Sequence, residues 1–161
     1  MPAQNSPAPP DQPSRHLLLI EDNPADATLA RMVHDQTQHC SWLEVVHDGD
    51  AALQHLTGRD GTSKPDVVLL DMTLPMKSGL ELIREIRAIP GCELMPIVMV
   101  SGSDNPVALR DAYALGANCV ISKPSHWEEY FDKVSACYKF WCDVVELPRP
   151  DQRGNGSRPP A

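Results

Sequence analysis

Short apolar runs alternate with stretches of helical periodicity through the middle of the chain. Four of the runs are continuously apolar, which is typical of strands buried on both faces of a parallel sheet. They cover residues 17–20, 67–70, 97–100 and 119–121. A fifth run, residues 42–46, mixes apolar and charged side chains and predicts an edge strand.

A helix-start signal follows every predicted strand. Each signal is a side chain that can accept a hydrogen bond from the first helical turn, and two of them precede a proline at the first helical position. The five predicted helices begin after Asn23, Asp48, Ser78, Asn105 and Ser125, and the last reaches about residue 145. Five alternating strand–helix pairs predict an α/β fold, a doubly wound parallel sheet with helices on both faces.

Proline marks the limits of this domain. The chain has 16 prolines, of which five lie in residues 2–13 and four in residues 148–160. Segments of this composition bury too little apolar surface to offset the entropy of ordering. We therefore predict disordered tails at residues 1–14 and 148–161 around a single domain at residues 15–147.

Charge and composition exclude several classes of function. With 14 Lys+Arg against 22 Asp+Glu the formal net charge is −8, which disfavours a nucleic-acid-binding surface. The sequence has no apolar run of the ~18 residues that a membrane span needs, and its N-terminus lacks the features of a signal peptide. We therefore expect a cytoplasmic protein without membrane contacts. The five cysteines form no C-x-x-C pair and the six histidines no metal-ligand spacing, which predicts free thiols and surface imidazoles.

Polar side chains that can carry chemistry follow the predicted strands. Glu21 and Asp22 come after the first strand, Asp71 after the third, Ser101 after the fourth and Lys123 after the fifth. The carboxyl ends of parallel strands share one edge of a sheet, so we expect these side chains to meet there. Clustered carboxylates repel one another unless a cation joins them, and Mg²⁺, which prefers oxygen ligands, is the natural partner.

The same side chains suit phosphoryl transfer. A lysine supplies compact positive charge for an anionic group, and a serine supplies a hydroxyl donor. A carboxylate beside them can act as a nucleophile and form an acyl phosphate. Taken singly, Glu21 and Asp22 also fit a solvated acidic pair, Lys123 an exposed surface lysine and Ser101 a turn residue.

In this order, the residues resemble those of bacterial response-regulator receiver domains, and the resemblance covers about residues 16–145. The matching positions are Glu21-Asp22, residues 71–76 with Gly79, Ser101 and Lys123-Pro124. Each position is a weak signal alone, but the set is specific because a predicted strand precedes each one. The resemblance implies a flavodoxin-like (βα)5 sheet with strand order 2-1-3-4-5.

The resemblance also implies how the chemistry is divided. Asp71 is the phosphoacceptor, which takes a phosphoryl group from a phosphohistidine of a histidine kinase. Lys123 pairs with the phosphoryl oxygens. Ser101 moves to hydrogen-bond the phosphoryl group and draws its loop inward, which changes the surface offered to partners.

For the metal, the resemblance implies Mg²⁺ at the acidic residues. Asp22 and Asp71 bind the ion directly, and Glu21 binds it through water. The backbone carbonyl of Thr73 completes the protein ligands. The cofactor expected from the sequence is therefore Mg²⁺, held at the same edge of the sheet as the phosphoacceptor.

One departure and one finer likeness qualify this resemblance. Family members usually place an aromatic residue three positions before the lysine, where this chain has Val120, so the usual aromatic switch is not expected. The peptide bond between Lys123 and Pro124 is often cis in the family. Residues 21–26 and 118–124 look like those of small receivers that serve phytochrome-type light-sensing kinases, which points to a bacteriophytochrome as the kinase.

Aromatic residues concentrate in the last predicted helix. The chain has three Trp, three Tyr and two Phe, and six of them lie in residues 127–141. The stripe predicted to face the sheet is Phe131, Val134, Cys137 and Tyr138. The aromatic residues left to be covered include Trp127, Tyr130 and Trp141. Exposed apolar patches of this kind mark interfaces, so we predict a homodimer formed through the last helix.

The leading interpretation is a stand-alone signalling switch rather than an enzyme. Fourteen residues follow Leu147, so no output domain is predicted, and phosphorylation is expected to change a protein partner or the dimer. One alternative is a binding module on the same fold that works without phosphorylation. Another is a Mg²⁺-dependent phosphatase with an aspartyl nucleophile, but Thr73 stands where enzymes of the haloacid dehalogenase type carry a second aspartate.

Overall fold

Strands and helices alternate along the computed structural model, which describes residues 14–59, 61 and 63–148. The strands are β1 (His16–Ile20), β2 (Trp42–Val46), β3 (Val67–Asp71), β4 (Ile97–Ser101) and β5 (Cys119–Ser122). The helices are α1 (Pro24–Thr37), α2 (Gly49–Leu56), α3 (Gly79–Arg87), α4 (Pro106–Leu115) and α5 (Trp127–Lys139). A π-helical turn (Phe140–Val144) continues α5.

The strands form one parallel sheet in the order β2-β1-β3-β4-β5. This order confirms the doubly wound fold and the strand order expected from the sequence. Each strand lies within one residue of its predicted bounds. Apart from residues 14 and 148, the predicted tails lie outside the described residues. Among the described helices, none is long and apolar enough to cross a membrane.

Alternate strand residues face two separate cores. Leu17 of β1 joins a core with α1 and α5, whereas its neighbour Leu18 joins a core with α2, α3 and α4. Every residue of β3 and β4 is buried, because central strands of a parallel sheet carry helices on both faces. His55 of α2 is also buried, contrary to the predicted surface position, and its ring packs 5.9 Å from that of His16.

Local hydrogen bonds set the starts of most helices. The Asn23 side chain accepts from the first turn of α1, and Ser78 and Glu81 form the predicted capping box of α3. The prediction that Ser125 opens the last helix is wrong. His126 stands at that N-terminus and provides no side-chain cap, so α5 depends on its packed face rather than on a cap.

The inward face of α5 differs by one residue from the predicted stripe. Its buried residues are Tyr130, Val134, Cys137 and Tyr138. Tyr130, four residues before Val134, is the buried aromatic residue at this end of the face, while Phe131 is only partly buried against the same core. Trp127 and Trp141 pack partly against the same core. Most aromatic residues that the sequence left uncovered therefore serve the protein's own core, while Phe140 stays 47% exposed.

A disulfide bond joins Cys40 to Cys142, whose Cα atoms lie 5.3 Å apart. The prediction of free thiols is therefore wrong for this pair, while the other three cysteines are free. Beside the bond, His39 Nδ1 lies 2.6 Å from Asp143 Oδ2. Together these contacts hold the π-helical turn against the segment that precedes β2.

The disulfide is expected to stabilise the fold by restricting the unfolded chain. The two cysteines are 102 residues apart, and closing a loop of this length contributes about 3–5 kcal/mol to the free energy of unfolding. Urea unfolding with and without dithiothreitol measures this contribution. We expect reduction to lower the midpoint of the wild type and of Cys119→Ser, which keeps the bond. The midpoint of Cys142→Ala should not respond, and an unchanged wild-type midpoint would contradict the prediction.

Candidate functional site

The predicted site residues lie at the carboxyl edge of the sheet. Glu21 and Asp22 directly follow β1, Asp71 is the last residue of β3, Ser101 is the last of β4, and Lys123 directly follows β5. The parallel register of neighbouring strands aligns these ends. Because β1 and β3 are adjacent, the acidic pair and Asp71 become neighbours.

Three carboxylates form a compact cluster. One oxygen from each of Glu21, Asp22 and Asp71 lies within 4.8 Å of the others. Glu21 and Asp71 are only 3% and 6% exposed, while Asp22 faces solvent. Burial, together with the hydrogen bond and charge of Asp71, raises the pKa of Glu21 to about 7, against the opposing effect of Lys123. A set of closely spaced oxygen ligands that repel one another fits a hard divalent cation such as Mg²⁺.

Lys123 supplies positive charge to this cluster. Its Nζ donates to Asp71 Oδ2 at 2.8 Å, to Asp26 Oδ2 at 2.9 Å and to Glu21 Oε2 at 3.1 Å. Burial alone would lower the pKa of Lys123, but the hydrogen bonds to these carboxylates outweigh it and raise that pKa. The ammonium group is therefore charged and has a carboxylate partner for each of its three hydrogens.

Asp26 was not among the predicted site residues. It lies in the first turn of α1, three residues after the N-cap Asn23. Its sequence signal is weak, because an acidic residue in the first helical turn is common for reasons of helix stability alone. Only the tertiary structure, in which α1 packs against α5, shows that its carboxylate reaches Lys123.

Hydrogen bonds within the chain fix the loop that follows Asp71. The Thr73 backbone N–H donates to Asp71 Oδ1 at 2.8 Å, and the Gly79 N–H donates to the Met72 carbonyl at 3.0 Å. A Cβ atom at Gly79 would lie 2.6 Å from the Asp71 carbonyl oxygen. Glycine is therefore required here for the close approach of α3 to the end of β3.

Ser101 borders the site, and its hydroxyl contacts Met72 and the Ser103 backbone. Its Oγ accepts from the Ser103 N–H at 3.1 Å and lies 3.4 Å from the Met72 sulfur. A cavity of about 280 Å³ opens beside it, and Val120 is part of its lining. The peptide bond before Pro124 is trans, in contrast to the cis form expected from the family.

The fold and the site define a class of signalling domain. Its members combine a doubly wound sheet with a buried aspartate that belongs to a carboxylate cluster and contacts a lysine. The profile of the family described as "Response regulator receiver domain" matches residues 17–135. The chain belongs to this family. Membership implies a histidine kinase as the source of the phosphoryl group.

Two relatives match most of the chain at 31% identity. Response regulator Rcp1 of Synechocystis sp. aligns over 139 residues, which are 84% of this chain and 95% of that protein. The probable methanogenesis regulatory protein FilR2 of Methanothrix harundinacea aligns over 136 residues, 83% of this chain and 88% of the relative. The chain thus spans nearly the full length of both relatives.

Two solved structures resemble the whole domain. The phosphorylated cyanobacterial phytochrome response regulator RcpA has a TM-score of 0.80 at 31% identity, with 84% of this chain and 99% of that chain covered. The Mn²⁺-bound form of Rcp1 has a TM-score of 0.78 at 31% identity, with 83% and 99% covered. The family and the similarity to Rcp1 and RcpA confirm the resemblance found in the sequence.

The close contact at Gly79 predicts a site-specific defect. Gly79→Ala should push the end of β3 aside, lower the free energy of unfolding by about 1–3 kcal/mol and weaken Mg²⁺ binding, because the Asp71 carboxylate moves with its backbone. Gly102→Ala is the matched control, since a Cβ atom there meets nothing within 4 Å. Thermal unfolding and calorimetric Mg²⁺ titration of both variants test this. Wild-type Mg²⁺ affinity in Gly79→Ala would contradict it.

Proposed function

We propose that Asp71 is the phosphoacceptor of a signalling switch that is charged by a histidine kinase. The observation that carries the proposal is the position of the Asp71 carboxylate. Its Oδ1 accepts a hydrogen bond from the Thr73 N–H at 2.8 Å, and its Oδ2 accepts one from Lys123 Nζ at 2.8 Å. The same carboxylate belongs to the acidic cluster with Glu21 and Asp22. A buried carboxylate held in this way is oriented for attack and shielded from water.

In the proposed reaction a carboxylate oxygen of Asp71 attacks the phosphorus atom of a phosphohistidine. The new P–O bond forms as the P–N bond breaks, and the imidazole nitrogen keeps the electron pair of that bond. Lys123 neutralises charge on the transferred phosphoryl oxygens, and Ser101 supplies a hydroxyl donor once its loop moves inward.

The Mg²⁺ site of this proposal uses the protein's own oxygen ligands. Asp22 and Asp71 would be the direct carboxylate ligands, Glu21 would act through water and the Thr73 carbonyl would complete the set. Bound Mg²⁺ would neutralise the charge of the phosphoryl group during transfer. The cluster geometry supports this assignment, as does a relative of 31% identity whose structure was solved with Mn²⁺ bound.

Phosphoryl incorporation from acetyl phosphate tests the acceptor. With Mg²⁺ present, we expect the intact mass of the wild type to rise by about 80 Da, one phosphoryl group on a carboxylate. Asp71→Asn should show no gain, and EDTA should abolish the gain in the wild type. Asp111→Asn, which removes an exposed carboxylate from α4, is the matched control and should behave as wild type. Incorporation into Asp71→Asn would place the acceptor elsewhere.

We further propose a phytochrome-type histidine kinase as the phosphoryl donor. The support is the similarity to RcpA, which is described as a phytochrome response regulator, and to a regulator in red light signalling of R. palustris at 25% identity. Phosphotransfer from a purified phytochrome-type kinase should exceed that from an unrelated kinase about tenfold in rate or more. Equal rates from the two kinases would contradict this pairing.

For the output we propose a change in association between two copies of the chain through the end of α5. After most of its aromatic residues are assigned to the core, Phe140 (47% exposed) and Val144 (59% exposed) still face solvent. Phe140 also lines a groove of about 430 Å³ between α5 and the edge strand β5. An apolar surface next to an open sheet edge is suited to burial by a second copy.

Sedimentation velocity measures this association directly. The wild type should form a dimer whose stability differs between the unmodified and the beryllofluoride-treated protein. Phe140→Asp should be monomeric in both states, because it places a charge in the apolar surface, while Lys139→Asp on the same turn tests charge alone. A wild type that is monomeric in both states would rule out the dimer.

A further inference from the structure

Asp26 carries a contact that the proposed chemistry leaves unexplained. Its Oδ2 lies 2.9 Å from Lys123 Nζ, within 0.1 Å of the 2.8 Å contact that Asp71 makes with the same atom. Its side chain is 28% exposed, so the ion pair is partly shielded from water. Asp26 lies outside the three-carboxylate cluster that fits a cation. It therefore serves the lysine and not the metal.

The lysine needs such a partner when a divalent ion arrives. Two of its three acceptors, Glu21 and Asp71, belong to the cluster that would hold the ion. Two cations sharing those oxygens repel each other and compete for the same lone pairs. Without a third acceptor the ammonium group would be displaced toward solvent, at the stage when a phosphoryl group requires it.

The start of α1 is built to hold Asp26 in place. The Asn23 backbone N–H donates to Glu21 Oε1 at 3.1 Å, which ties the helix start to the acidic cluster. The Asn23 side chain accepts from Ala25 N at 2.9 Å and from Asp26 N at 3.4 Å. Pro24 fixes the backbone of the first helical position. The location of the Asp26 carboxylate is thus set by the same residues that set Glu21.

From this arrangement we infer that Asp26 is a positioning residue for phosphoryl transfer: it keeps the Lys123 ammonium group beside Asp71 while Mg²⁺ occupies the cluster. The inference rests on the proposed function and adds a residue to it. It also explains why Lys123 has three carboxylate partners when the reaction requires it to face only the phosphoryl group.

Nuclear magnetic resonance of the lysine ammonium group tests the inference directly. An ammonium ¹H–¹⁵N signal is sharp only while hydrogen bonds protect the protons from exchange with water. In the wild type the Lys123 signal should persist after saturation with Mg²⁺. In Asp26→Ala, which removes the acceptor, it should be lost when Mg²⁺ is added, because the remaining partners are then shared with the metal. Arrival of Mg²⁺ is read separately from the backbone amide of Thr73.

Phosphorylation kinetics provide the second measurement. Asp26→Ala should lower the initial rate of incorporation from acetyl phosphate about 3- to 10-fold, because the lysine is no longer oriented. Asp26→Glu should restore part of the rate. Asp35→Asn is the charge control, since it removes a 79% exposed carboxylate from the same helix, and it should keep the wild-type rate. Thermal unfolding of each variant separates a loss of fold from a loss of orientation.

The outcomes are distinct. A Lys123 signal that persists in Mg²⁺-saturated Asp26→Ala, or a wild-type rate in that variant, would overturn the inference. If Asp26→Ala fails to fold, a Lys123 signal lost from Mg²⁺-saturated wild type would overturn it instead. Absence of any adduct in the wild type would contradict the proposed function, while the ammonium signal would still decide whether Asp26 holds Lys123.

Discussion

The contact of one ammonium group with three carboxylates is the interaction on which the site depends. Folding brings Glu21 and Asp71 into a largely buried position beside Asp22, and like charges at this spacing oppose the folded state. Lys123 offsets that cost by hydrogen bonding to both buried groups and to Asp26. The lysine therefore has a structural role before any phosphoryl group is present.

The sheet makes this contact possible because its register aligns the carboxyl ends of neighbouring strands to within one residue. A shift of one residue in β3 would turn Asp71 to the opposite face and remove it from the cluster. Helix α1 adds the further partner Asp26 from the neighbouring layer. Close packing at Gly79 then sets how near α3 approaches the end of β3. The site is thus a product of register and of helix packing together.

Much of this arrangement was predictable from the sequence, because its signals are local. Buried strands appear as apolar runs, helix starts as capping residues such as Asn23 and Ser78, and the strand-end residues follow from the order of elements. The features that the sequence analysis did not predict depend on contacts between distant segments of the chain. Asp26 reaches Lys123 across 97 positions, and Cys40 meets Cys142 across 102. The face of α5 was placed on Phe131 instead of Tyr130, since a crowded aromatic helix permits more than one stripe.

The disulfide has a topological consequence for assembly of the sheet. It closes a covalent ring that contains every element from β2 to α5, whereas β1 and α1 lie outside the ring. Yet β1 is an interior strand, hydrogen-bonded to β2 on one side and to β3 on the other. A chain oxidised before it folds would have to insert this strand into an already cyclised sheet. Synthesis from the N-terminus avoids that order of events, because β1 and α1 are made first and Cys142 emerges after every strand of the sheet.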